Sequence, residues 1–243
     1  MSFLKKLFGM GNKATTAWRP ARVQVNALHL LSFHLTENGK RKVCKVGNIS
    51  KGGMGLVWNE GHLPEPGTII PGEIEIDSFK TKVALNVRHH SGGILGCQFQ
   101  TVSAELEATI EKYFSFEIMA ILLRPIDQKV MAPNPNGTVH WYTDGRKNEV
   151  YYILNSSGLV EFHVSFLGIY IEGGAGRNLK SGFVVDDKIE GAGAAAQVDF
   201  SAASKNDNLI TVIRALHGVT GLPEEHRQLL LAALSVQDGT NAA

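Results

Sequence analysis

Only two cysteines, Cys44 and Cys97, occur in 243 residues. Two lone thiols without a secretion signal point to a reducing compartment, and they exclude a disulfide framework. No run of about 20 apolar residues is present, so no spanning helix is expected. Signatures of catalysis are missing as well. There is no Gly-x-Ser-x-Gly, no phosphate-loop lysine and no Cys–His arrangement. None of the nine histidines falls in a zinc or His-Glu-x-x-His spacing. His140 and His163 are the two that could converge on a metal; ordinary strand or surface histidines are the preferred reading. "GGAGR" (173–177) lacks the helix and the Lys-Ser/Thr pair of a phosphate loop and reads as a turn. These absences describe a cytoplasmic binding protein, not an enzyme, with no cofactor and no metal.

Acid is scarce at the start of the chain. Residues 1–52 hold ten Lys/Arg against one acid, Glu37, while the remainder holds 14 basic and 22 acidic residues. The net charge of +1 conceals this division. A basic field of this kind attracts an anion: a nucleotide, a nucleic acid or an acidic membrane. Within "MSFLKKLF" (1–8), Phe3, Leu4, Leu7 and Phe8 fall on one side, with Lys5 and Lys6 opposite. That pattern suits weak contact with an anionic surface. A two-turn helix is marginal alone, so residues 1–17 are expected to be a frayed or loosely docked tail.

Hydrophobic residues make up 44%, enough for a packed core. From Arg22 to about Gln100 six short runs are rich in β-branched and aromatic residues, and tight turns separate them. They predict a six-stranded antiparallel barrel. One long helix follows over 103–125, with Ser103 as N-cap and Pro125 as its stop. Its second half, "FEIMAILL", is apolar nearly all round, which predicts burial against another domain or another chain. The expected organisation is a tail (1–17), a barrel plus helix (18–126), a linker (127–137) and an α+β region (138–243). In that last region a β-meander precedes two terminal helices. The fold class is mainly β with helices.

"GNISKGGMGL" (47–56) holds four glycines in ten positions. Its small polar residues and glycines leave backbone N–H groups open to a base or a phosphate. "WRPARVQV" (18–25) sets Arg19 and Arg22 just before a barrel strand. A guanidinium can grip phosphate bidentately, stack on a base or pair with the O6/N7 edge of guanine. Arginine beside such a turn is what a guanine nucleotide requires.

From about Trp18 to Phe114 the chain resembles the PilZ domain, a bacterial receptor module for cyclic di-GMP. Three features carry the resemblance: Arg19 and Arg22 running into a strand; Asn48, Ser50 and Gly53 in "NISKGG", matching Asp/Asn-x-Ser-x-x-Gly; and "ILGCQF" leading into "SAELEATIEKYF". The resemblance implies that Arg19, Arg22, Asn48, Ser50 and Gly53 bind cyclic di-GMP, with Trp18 stacking on a base. It implies a signalling role in a process such as motility or exopolysaccharide production. The arginine loop would be mobile without ligand and would order on binding. One feature departs from the family: only Pro20 and Ala21 separate the arginines, where the family has three residues. The alternative is a PilZ-fold scaffold that works through protein contacts without nucleotide. Its partner, or a second copy of the chain, would dock on the 103–125 helix. Nucleic acid is disfavoured, because Trp18 and Trp58 are the only obvious stacking residues.

Overall fold

The computed structural model describes residues 20–37, 40–59, 62–185, 197–200 and 205–235. Trp18, Arg19, the 1–17 tail and the "GAGAAA" loop at 191–196 lie outside the described residues.

The N-terminal part is a curled antiparallel sheet of eight strands, not six. They are β1 (Val23–Gln24), β2 (Leu31–Glu37), β3 (Lys40–Cys44), β4 (Val46–Ser50), β5 (Gly53–Val57), β6 (Ile69–Ile76), β7 (Phe79–Ser91) and β8 (Ile94–Phe99). The order across the sheet is β1-β4-β5-β8-β7-β6-β2-β3. Two of the six expected runs each split into two strands. The first breaks at 25–30, where the Asn26 side chain accepts the Leu28 N–H at 3.0 Å and His29 Nδ1 accepts the Asn26 N–H at 3.0 Å. Such local bonds compete with a ladder. The second breaks at Lys45, whose carbonyl accepts the Val57 N–H at 2.8 Å. The chain there leaves its pairing with β2 and joins β5. Alternating inward residues such as Phe33, Ile49, Leu56, Ile74, Leu85 and Leu95 build the first core. Cys44 and Cys97 are buried free thiols, and burial pushes the Cys97 thiol up to about 12.

The single long helix is two helices, α1 (Ala104–Tyr113) and α2 (Ser115–Ala120). Ser103 caps α1 by accepting the Leu106 N–H at 3.1 Å, as expected. The break falls at Phe114, which is fully buried and packs edge-on against Tyr113 with ring centroids 4.9 Å apart. Leu106, Ile110 and Phe114 belong to the first core, whereas Ala120 and Leu123 belong to a second. Beyond the break the chain serves both cores: Ile118 and Ile121 still pack against the first, while Phe116 and Met119 pack against the second.

The second core lies under a seven-stranded meander: β9 (Arg124–Pro125), β10 (Thr138–Thr143), β11 (Glu149–Asn155), β12 (Gly158–Phe166), β13 (Ile169–Gly174), β14 (Arg177–Val184) and β15 (Val198–Asp199). Gly145 and Gly158, both at positive φ, lie at the turns of two of the meander's hairpins. Helices α3 (Lys205–Gly218) and α4 (Glu224–Ser235) bring Val212, Ala215, Leu216, Leu230 and Leu234 against Tyr152, Phe162, Val164 and Ile171. Gly218 lets α3 close on α2: a Cβ there would stand 2.8 Å from both the Ala120 Cβ and the Glu117 carbonyl oxygen. The apolar half of the 103–125 segment is therefore covered within the chain.

A buried charge cluster ties the two parts together. Glu117 is 1% exposed. Its carboxylate accepts from Arg214 of α3 at 2.6 and 3.0 Å. It also accepts from His29 Nε2 at 2.8 Å, because His29 Nδ1 already accepts the Asn26 N–H. Arg214 Nη2 further donates to the Tyr113 carbonyl at 2.6 Å, and the guanidinium lies 5.2 Å from the ring centres of Tyr113 and Phe116. Burial pushes the Glu117 carboxyl up, but the hydrogen bonds from His29 and Arg214 outweigh it and hold the group below the ordinary carboxylate range.

Candidate functional site

The β4–β5 hairpin turns through Lys51 and Gly52, pairing Ser50 with Gly53. The Ser50 hydroxyl donates to the Gly53 carbonyl at 3.3 Å. Neither Gly52 nor Gly53 has a positive φ. Gly53 is required by proximity instead. A Cβ there would sit 2.1 Å from the Cys97 carbonyl oxygen on β8. Lys51 is held to α1 by ion pairs with Glu107, at 3.2 Å, and Glu111. Burial pulls its ammonium down, but bonds to the two carboxylates outweigh this and raise it.

Beside the turn lies an open groove of about 480 Å³. Pro20, Arg22, Ser50, Gly52 and Gly53 form one wall, while Arg88, His89, Gly96, Cys97 and Gln98 form the other. Of the expected residues, Arg22, Ser50 and Gly53 meet here. Arg22 is solvent-exposed at the start of β1, and β1 pairs with β4 through Val23–Ile49 and Gln24–Asn48. Asn48 stands one row away. Its carboxamide lies on Gly55, where a Cβ would fall 2.6 Å from Nδ2, and its Oδ1 is buried without a hydrogen-bond partner. That unpaired acceptor leaves capacity for an N–H donor. Arg19 and Trp18 lie outside the described residues.

Arg88, His89 and Gln98 were not foreseen. A β-bulge at Arg88, between Val87 and His89, inserts one extra residue into β7 opposite β8. Both Arg88 and His89 therefore face the groove, which strict alternation would forbid. The only sequence signal is the end of the inward pattern Val83, Leu85, Val87 at a run of four polar residues, Arg88-His89-His90-Ser91. His90 turns away and bonds the Pro64 carbonyl at 3.0 Å.

The basic run at 40–42 contributes less to this groove than its charge suggests. It lies on β3, at the end of the sheet opposite β1. Arg41 pairs with Glu73 at 2.6 Å. His140 and His163 do not converge on a metal. His163 stands on the outer face of the second sheet, stacked on Tyr151 and bonded to Glu149 at 3.1 Å. His140 is on the inner face, stacked on the fully buried Tyr152. Among the described residues no cluster of three or more His, Cys, Asp or Glu could hold a metal ion. Among them, too, no helix is long and apolar enough to cross a membrane.

Residues 21–116 match the family model described as PilZ domain. The eight-stranded sheet and α1 thus form a PilZ domain. No curated protein matches the chain.

Proposed function

We propose that the protein is a cyclic di-GMP receptor whose N-terminal groove takes the ligand and whose second region delivers the response. One observation carries this reading. Within the segment that matches the PilZ family, Arg22, Ser50, Gly52 and Gly53 line a single solvent-open groove, with Asn48 on the adjoining row. Exposed guanidinium, small polar side chain and bare backbone are the groups that a dianionic guanine dinucleotide needs. PilZ domains are binding modules and generally not enzymes, so the ligand is expected to leave unchanged.

The path to the second region is short. Arg22 precedes β1, and His29 follows β1 by a few residues. His29 meets Glu117, and Glu117 meets Arg214 on α3. A ligand that orders the Arg22 segment would bias this contact, which is coupling through an order–disorder element. Arg19, and Trp18 as a stacking residue, belong to the proposal as groups of the segment entering β1.

Calorimetric titration of cyclic di-GMP into the purified chain, with GMP and a short single-stranded oligonucleotide as controls, tests the reading. Saturable binding at about micromolar affinity or tighter, lost in Arg22→Ala, is the expected result. No binding by the wild type would leave a PilZ-fold scaffold acting through protein contacts.

A further inference from the structure

The opposite wall of the groove carries chemistry that the arginine segment and the Asn-x-Ser-x-x-Gly turn do not account for. The row Asn48–Gly55–Gly96–His89 crosses four strands. Its two central residues are glycines, and a planar group leans over each. The Asn48 carboxamide covers Gly55, while the imidazole of His89 covers Gly96, where a Cβ would fall 2.3 Å from His89 Cε1. The His89 ring is exposed and lines the groove. Among the described residues it makes no hydrogen bond or ion pair. A flat, unengaged ring lying low on bare sheet is a stacking surface for another planar group.

Arg88, the residue before His89, shares its face because of the bulge. Its Nε and Nη2 both donate to one atom, Gln98 Oε1, the first at 2.8 Å. Two parallel N–H groups are thus spent on a single neutral oxygen. A guanine Hoogsteen edge offers two acceptors, O6 and N7, with the spacing that the guanidinium fork prefers. Exchange of Gln98 for such an edge improves the geometry without leaving a donor unpaired.

We propose that the β7 bulge is a guanine-reading device: His89 supports one base of the bound dinucleotide by stacking, and Arg88 reads the O6/N7 edge of that base. This rests on the receptor reading above. It makes Arg88 and His89 specificity residues on the wall facing Arg22.

The test compares cyclic di-GMP with cyclic di-AMP, which has the same phosphates and the same ring size but an amino group in place of O6, an unprotonated N1 and no 2-amino group. Calorimetry on the full chain would cover wild type, His89→Ala, His89→Trp, Arg88→Ala and Arg22→Ala. His89→Ala should weaken cyclic di-GMP binding by about 5- to 150-fold, and His89→Trp should restore it. Arg88→Ala should weaken cyclic di-GMP by about tenfold or more and cyclic di-AMP, which offers only N7 to the guanidinium, by less, so that the preference between them shrinks. Arg22→Ala should weaken both ligands. Thermal melts of each variant separate a folding defect from a binding defect, and rescue by Trp does so independently. Wild-type binding of cyclic di-GMP with no loss in His89→Ala, or with an unaltered ligand preference in Arg88→Ala, would overturn the guanine-reading device and leave the receptor standing. Failure of the wild type to bind cyclic di-GMP would overturn both.

Discussion

Removal of the Arg214 side chain is the sharpest test of how the two sheets are held together. In the wild type the Glu117 carboxylate has two partners, and Arg214 supplies two of its three hydrogen bonds. Arg214→Ala would leave that carboxylate 1% exposed with His29 alone. Stranding one member of a buried ion pair costs about 3–5 kcal/mol. The Tyr113 carbonyl also loses its donor, which adds about 1 kcal/mol. Urea denaturation at pH 7 should therefore show a loss of about 4 kcal/mol, or separate unfolding of the two sheets. Glu117→Gln should cost less, because Arg214 is 12% exposed and can hydrate. The acid limb gives a second readout. The Glu117 carboxyl is depressed in the folded state, so its contribution is full above the ordinary carboxylate value of about 4.3 and is lost as pH falls through the lower folded value. In Glu117→Gln that part of the acid loss should vanish. A loss under about 1 kcal/mol in Arg214→Ala would refute the reasoning, since the carboxylate would then not depend on its guanidinium.

Gly53→Ala should lower Tm by several degrees, because its Cβ meets the rigid Cys97 carbonyl and overpacking of this kind costs about 1–3 kcal/mol; an unchanged melt would refute the close approach. His140 is lowered by burial and then by the charge of His226, and His217 is lowered by burial and then by Arg227. Both groups stay neutral in the fold while the unfolded chain takes up protons. Stability should therefore be full above about pH 6.5 and fall as pH drops below it; His140→Phe should reduce that slope in melts from pH 7 to 5. Ser103→Ala should cost about 1 kcal/mol in urea denaturation through loss of the α1 cap.

Much of this architecture is written locally. Glycine-marked turns, alternating apolar residues and the Ser103 cap place most strands and the start of α1 correctly. The failures are mostly tertiary. "RVQVNALHLLSFHL" has strand composition throughout, yet it breaks at 25–30, where local bonds around Asn26 turn the chain and His29 also reaches inward to a carboxylate 88 residues away. The 103–125 run reads as one continuous helix, but Phe114 is buried in the first core and Ala120 in the second, and the helix breaks at Phe114. Glu117, the one charge in "FEIMAILL", received no role from the sequence and is the buried joint. For the groove, Arg22, Ser50 and Gly53 follow a motif and were legible. Arg88 and His89 were not, because a bulge changes which face a residue occupies, and the end of the apolar alternation after Val87 marks where the pattern stops but not which way the next side chains turn.

The strand ends of both sheets bear on how the molecule behaves in a crowd. A sheet border is an open row of donors and acceptors that invites a strand from another molecule. Here the second sheet finishes at each border in a strand of two residues, β9 and β15, and β9 contains Pro125, which has no N–H to offer. The first sheet finishes at one border in the two-residue β1 and at the other in β3, with Lys40, Arg41 and Lys42 in succession. Basic residues along a sheet border are one way in which natural sheets discourage pairing with a second copy. The basic run at 40–42 thus suits a guard against self-assembly. Its neutralisation should appear first as turbidity, before any change in ligand affinity.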